Sequence, residues 1–204
     1  MKRSCTRIVM AFLILLVGAT NGLTSVATSE KTGVEPEKEY ALSLYAGRLT
    51  DDNWRQSLTG TADFVDSNLL TAALHWTFFR PENRWWSLEL ESNITKHFGD
   101  QEHWEFNAPI LTGRWHLFPW SDFVATSAAF GMGLSFATEV PDVEKELSAS
   151  SEQLMLYWHL EATLGPPGAS WTTLFRLHHR SSGYGLFADS GGGNALAAGV
   201  RFFF

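Results

Sequence analysis

The feature that most constrains this chain is a two-residue alternation of apolar and polar side chains, repeated in eight segments. A period of two is that of a β-strand, whose successive side chains point to opposite faces. The segments run from Tyr40 to Arg48, Asn68 to Phe79, Arg84 to Phe98, His103 to Trp120, Asp122 to Ala137, Gln153 to Leu164, Thr173 to Gly183, and Asn194 to Phe204. In the sixth, Leu154, Leu156, Trp158, Leu160 and Ala162 share one face, against Met155, Tyr157, His159, Glu161 and Thr163. The fourth is the least regular, because its phase changes at Pro109, where a proline removes a ladder donor and predicts a bulge.

After the N-terminal leader no apolar stretch reaches the length of a spanning helix. In hydrocarbon every backbone N–H and C=O must find a partner within the protein, so such a chain can cross a membrane only as a closed barrel. Eight segments of about ten residues with apolar-out, polar-in alternation predict an all-β fold, an eight-stranded antiparallel transmembrane barrel of the outer-membrane type. Short turns at Pro81-Glu82-Asn83, Pro119-Trp120-Ser121-Asp122 and Gly165-Pro166-Pro167-Gly168 alternate with outer connections near 50–67, 99–101, 139–151 and 185–193. Trp85, Trp86, Trp120, Trp171, Phe202 and Phe204 gather at the end with the short turns, as an interfacial girdle does. A soluble barrel of lipocalin type would put its apolar face inward around a ligand. Here the face opposite the apolar one carries Glu89, Glu91, Glu161, Arg114, Arg176, Arg201, His75, His116, His159 and His178, which reads as a plugged lumen with balanced charge.

Lys2, Arg3 and Arg7 precede an apolar run from Ile8 to Val17, and Ser25-Val26-Ala27 offers small residues for cleavage, the pattern of a secretory signal over residues 1–27. A polar lead-in over 28–39 and a single barrel domain over 40–204 follow. Cys5 leaves with the signal, so the mature chain has neither disulfides nor a thiol nucleophile. Loss of the three leader cations leaves 12 Lys and Arg against 22 acids, a net charge of −10 that argues against a nucleic-acid partner.

Candidate chemistry lies on both faces. Glu91, His159, Glu161 and Arg176 on the inner face could be assembled into an active site, but an ion-pair network filling the lumen is the stronger expectation, because charges buried in so narrow a barrel need partners. His159 and Glu161 stand two apart on one strand, not at a zinc-motif spacing, and imply no metal. Asp189-Ser190-Gly191-Gly192-Gly193 reads as an outer loop, not a phosphate cradle. The seventh segment differs: Phe175, Leu177, His179 and Ser181 share the apolar face, while Arg176, His178 and Arg180 point inward. This sets a base and a hydroxyl against lipid at the outer end of the strand.

A barrel with His-x-Ser near the outer end of strand seven, then a glycine-containing loop and a last strand ending in aromatics, resembles the PagL-type lipid A 3-O-deacylases. The local likeness runs from Phe175 to the C-terminus. It implies an outer-membrane esterase that needs no cofactor and acts on lipid A in the outer leaflet. Ser181 would be the nucleophile, His179 the base, and Ser182 and Gly183 the oxyanion and substrate contacts. Two positions depart from the family pattern. Ser182 stands where an Asn commonly follows the serine, and Asn194 stands where the family carries its acid, with Asp189 as an alternative acid. The other readings are a non-catalytic structural or adhesin-like barrel and a lipid A acyltransferase; the charged lumen argues against the latter's interior acyl pocket.

Overall fold

A computed structural model describes residues 38–51, 54–147 and 150–204, the side chain of Leu147 apart. The leader read over 1–27, and the lead-in as far as residue 37, lie outside them. The strands are β1 (Tyr40–Thr50), β2 (Phe64–Phe79), β3 (Trp86–Gly99), β4 (Trp104–Trp115), β5 (Ala125–Ala137), β6 (Leu154–Gly165), β7 (Trp171–Ser181) and β8 (Gly192–Phe203). Each pairs antiparallel with the next, and β8 closes onto β1, so no sheet edge is left unpaired. Two short helices sit in the longer connections, α1 (Trp54–Thr59) between β1 and β2 and α2 (Asp142–Leu147) between β5 and β6.

The alternation sorts as expected. Leu70, Leu90, Leu111, Phe130, Met132 and Phe175 face outward and exposed, and the charged residues face inward and buried. Trp85, Trp86, Trp120, Trp171, Phe202 and Phe204 are exposed at the end with the short turns; Phe64, Phe98 and Trp104 are exposed at the other. Such belts place amphipathic rings at the two membrane interfaces.

The lumen is filled. Arg176 donates from Nε to Glu161 Oε2 at 2.8 Å and from Nη2 to Glu91 Oε2 at 2.8 Å, and its Nη1 reaches the Tyr45 hydroxyl at 3.1 Å. Arg114 bridges Glu89 at 2.9 Å and Glu161 at 2.8 Å, and Arg201 holds Glu89 at 3.0 Å. Three guanidinium and three carboxylate groups thus neutralise one another, with His75 at 3.4 Å and His159 at 3.8 Å from Glu91. Nearer the outer mouth a cluster of Tyr45, Leu49, Leu69, Ala73, Leu174, Ala195 and Ala197 packs against Val143 of α2. Glu144 of α2 accepts from Arg180 Nη1 at 2.7 Å and from the Ser151 hydroxyl. Burial holds the Glu144 carboxyl above the ordinary range, with Arg180 and Ser151 pulling the other way.

Several strand ends differ from those read in the sequence. β4 stops at Trp115, not Trp120, because the chain turns there: the Ser121 N–H donates to the Phe118 carbonyl, and those of Phe123 and Val124 to the Trp120 carbonyl. β5 accordingly starts at Ala125 and not at Asp122, while β2 begins at Phe64, four residues before Asn68. At Pro109 the register slips against both neighbours, between Glu91 and Asn93 on β3 and between Asn107 and Ile110 on β4. Gly133 sits beside this bulge, where a Cβ would stand 2.1 Å from the Pro109 carbonyl oxygen; only a glycine fits.

Candidate active site

The outer ends of β6, β7 and β8 bring four outward-facing side chains together. In register, Trp158 of β6 lies opposite His179 of β7, which lies opposite Asn194 of β8; Leu156 and Gly192 flank Ser181 in the same way. Direct cross-strand neighbours have Cβ atoms about 5 Å apart, near enough for side chains to meet. They do: His179 Nδ1 and Asn194 Oδ1 are 2.6 Å apart, a short bond in which the ring N–H donates to the amide oxygen. That bond fixes the tautomer and leaves Nε2 as the unprotonated, basic nitrogen. The indole of Trp158 lies against the imidazole with ring centroids 4.3 Å apart, restricting its rotation.

A third element covers this face. Asn194 is 7% and Thr50 1% exposed although both are on the outward face, and Thr50 lies opposite Asn194 in the β1–β8 pairing. Thr50 Oγ1 bonds the buried Ser57 hydroxyl of α1 at 2.9 Å, and α1 packs on β7 and β8. Trp54, at the start of α1, meets Trp158 edge-on at 5.8 Å. Helix α1 is therefore laid over the outside of the barrel, and its tryptophan continues the ring stack Trp54–Trp158–His179. Residues 50–67 read in the sequence as a polar outer loop, so this helix was missed; Trp54 in an otherwise polar stretch was the signal available.

Ser181 is half-buried on the same outward face as His179, at the last position of β7. Its hydroxyl accepts from the Gly183 N–H at 3.4 Å, and among the described residues no hydrogen bond joins it to His179. The Ser182 N–H donates to the Gly191 carbonyl at 3.2 Å, so that backbone donor is engaged. Gly183 has φ +64°, a left-handed conformation that glycine adopts without strain. The turn it opens carries Tyr184 and Leu186 fully out of the barrel, two apolar side chains next to the serine. Asp189, the alternative acid, is exposed in this loop, whereas the Nδ1 position of His179 is taken by Asn194. Gly192 and Gly193 are not loop residues as read but the first two of β8. With Gly192 opposite Ser181, no side chain crowds the hydroxyl from that strand.

His178, adjacent in sequence, points the other way: its Nε2 lies 3.0 Å from Glu105 Oε1 inside the lumen. It has no access to the outer surface on which Ser181 lies. The arrangement outside is a tautomer-fixed imidazole, a neighbouring hydroxyl and an amide in place of an acid, beside the short helix α1.

No protein-family model matches the sequence, and no curated protein matches it. Among solved structures the fold is similar to that of the outer-membrane enzyme PagL, with a TM-score of 0.50 at 11% identity over 80% of this chain and 99% of that one. It is also similar to Neisserial surface protein A (TM-score 0.49, 11% identity, 81% of this chain and 96% of that one). A third is OprG of Pseudomonas aeruginosa (TM-score 0.43, 10% identity, 85% of this chain and 99% of that one). Likeness at this identity speaks to fold, since one barrel hosts unrelated functions. The protein is a small, closed, eight-stranded antiparallel barrel of the outer-membrane type.

Proposed function

We propose that this protein resides in a bacterial outer membrane and is an esterase that hydrolyses an acyl ester of lipid A. The observation that carries the proposal is the 2.6 Å bond between His179 Nδ1 and Asn194 Oδ1 on the lipid-facing surface, with Ser181 two residues along the same face. Ser181 Oγ attacks the ester carbonyl while His179 Nε2 takes its proton. The tetrahedral intermediate collapses, the sugar oxygen leaves with the proton from His179, and water then hydrolyses the acyl-serine by the same base. Asn194 keeps the imidazole in the productive tautomer, as the amide does in Cys-His-Asn enzymes. The Gly183 N–H and the Ser182 hydroxyl are the candidate oxyanion donors. A substrate lying in the outer leaflet reaches this surface by lateral diffusion, which gives a reason for chemistry on the outside of a barrel.

The second reading is a non-catalytic small barrel. It is favoured by the same site: Ser181 is not hydrogen-bonded to His179, and the third residue carries no charge. Expression of the wild type and Ser181→Ala in an outer membrane, followed by mass spectrometry of lipid A, separates the two. Loss of one acyl chain in the wild type but not in the variant is expected. Unaltered lipid A with folded protein in both strains refutes the esterase, and a gain of an acyl chain identifies a transferase.

A further inference from the structure

Inside the barrel, at the outer end of the β3–β4 hairpin, a second cluster is unrelated to the lipid-facing site. His97 and His103 face one another across residues 98–102 of the hairpin, with the His97 N–H donating to the His103 carbonyl at 2.9 Å. Glu105 follows two residues later on the same inward face, so all three side chains enter the lumen. One donor atom from each of His97, His103 and Glu105 lies within 4.8 Å of the others. Two imidazoles and a carboxylate are the donor set of open zinc sites.

The polar groups here are incompletely matched. His103 is 2% exposed, yet neither of its ring nitrogens has a hydrogen-bond partner, and neither has the side-chain oxygen of Gln101. Leaving a buried polar group without a partner costs about 1–3 kcal/mol, so three such atoms in one hairpin need a reason. His97 Nε2 is 2.9 Å from Glu105 Oε2, and its Nδ1 is 3.0 Å from the Gln101 amide nitrogen. Glu105 Oε1 is separately held by His178 at 3.0 Å and by the Ser135 hydroxyl at 3.1 Å, which orients the carboxylate. Of the cations near the cluster, Arg180 is bonded to Ser135 and neutralised by Glu144, and Lys96 is paired with Glu102 at 3.2 Å.

We infer that His97, His103 and Glu105 bind a divalent transition-metal ion of the zinc type inside the barrel mouth, with the fourth position open to water. Tetrahedral zinc with bonds near 2.0–2.1 Å sets its ligand atoms about 3.3 Å apart. The His97–Glu105 pair therefore opens by a few tenths of an ångström as the ion replaces the shared proton. His103 is stacked parallel to His97, with centroids 4.3 Å apart and planes 11° from parallel, and must rotate to aim a lone pair at the same ion. No hydrogen bond opposes that rotation. With His97 Nε2 on the metal, Nδ1 carries the proton and donates to the Gln101 oxygen once the amide turns over, the outer-shell bond that metal-bound histidines make. The ion thus gives partners to two of the three unmatched atoms, Gln101 Oε1 and one nitrogen of His103. Spacing along a single strand draws attention to His159 and Glu161, whereas this cluster forms only when the hairpin brings two strands together.

The test uses the untagged mature chain in detergent micelles free of lipopolysaccharide, stripped with a chelator and titrated with Zn²⁺ alone by calorimetry and with Co²⁺ by visible absorption. One ion per barrel is expected, with the intense d–d bands of four-coordinate Co²⁺. His103→Ala removes no hydrogen bond, so the barrel is expected to fold and to bind at least ~10–100-fold more weakly. Ser181→Ala is expected to bind as the wild type does. Absence of stoichiometric binding, or equal binding by wild type and His103→Ala, overturns the inference. Should that variant fail to fold, X-ray absorption of the wild-type zinc complex decides: a shell with two imidazoles supports the site, and one without them overturns it.

Discussion

Replacing Asn194 by Asp puts a negative charge against His179 while preserving the side-chain skeleton. The oxygen that accepts from Nδ1 at 2.6 Å remains available, and α1 still covers the position. The difference is electrostatic and acts when the imidazole takes the serine proton. Unit charges about 4 Å apart attract by about 4 kcal/mol at an effective dielectric of ~20. The cost of holding a carboxylate beside a neutral ring in the resting protein, at a site only 7% exposed, offsets part of this. A net lowering of the barrier by about 2–4 kcal/mol corresponds to roughly 30-fold to 10³-fold in rate. An amide in place of the triad acid of a serine protease costs ~10⁴, the same sign and a comparable size. The assay is release of fatty acid from purified lipid A in mixed micelles, comparing wild type, Asn194→Asp, and Asn194→Asp with Ser181→Ala. Acceleration that disappears with the serine is expected. A folded Asn194→Asp protein no faster than the wild type would show that Asn194 does not act on a catalytic imidazole.

Trp54→Ala removes the edge contact with Trp158 and loosens the ring stack on His179; a several-fold fall in the same activity is expected, with the barrel's resistance to urea unchanged within about 1 kcal/mol. Arg176→Met leaves Glu91 and Glu161 in excess in the lumen and is expected to cost about 3–5 kcal/mol in urea unfolding from lipid vesicles; adding Glu91→Gln restores neutrality and recovers part of that loss, and strictly additive losses would contradict a coupled network. The carboxyl of Glu144 sits above its ordinary range in the folded protein, so it lowers stability at neutral pH and the penalty lifts as pH falls through the raised folded value; Glu144→Gln is expected to flatten this part of the pH–stability curve, and an unchanged curve would refute the assignment.

How much of this was readable beforehand follows from which interactions are local. Alternation is a property of neighbouring residues, so the eight strands, the inward Glu and Arg set and the bulge at Pro109 were all legible. The separation of His178 from His179 followed from the same parity. Strand ends were less so. β4 ends at Trp115 because of a turn whose hydrogen bonds run among 116–124, and β8 begins early because glycines can pair where no side chain announces a strand. The seat of α1 on β7 and β8 depends on contacts between residues more than 100 positions apart, which no local pattern encodes. The hairpin cluster was recoverable: centring the turn at 99–101 pairs His97 with His103 by count alone.

The seventh strand separates two kinds of chemistry by the thickness of one sheet. Its inner face gives Arg176, His178 and Arg180 to networks in which charge is matched locally, and these fill the lumen where an acyl chain would lie. Its outer face gives His179 and Ser181 to a surface where matching is incomplete: the imidazole is oriented by an amide, the hydroxyl leans on a backbone N–H, and the strand opposite the serine carries only hydrogen. Incomplete matching is what a substrate can complete, whereas a purely structural rim gains nothing from fixing the tautomer of a histidine under a tryptophan. The fixed orientation of that imidazole is the reason to look for ester chemistry on the outside of this barrel.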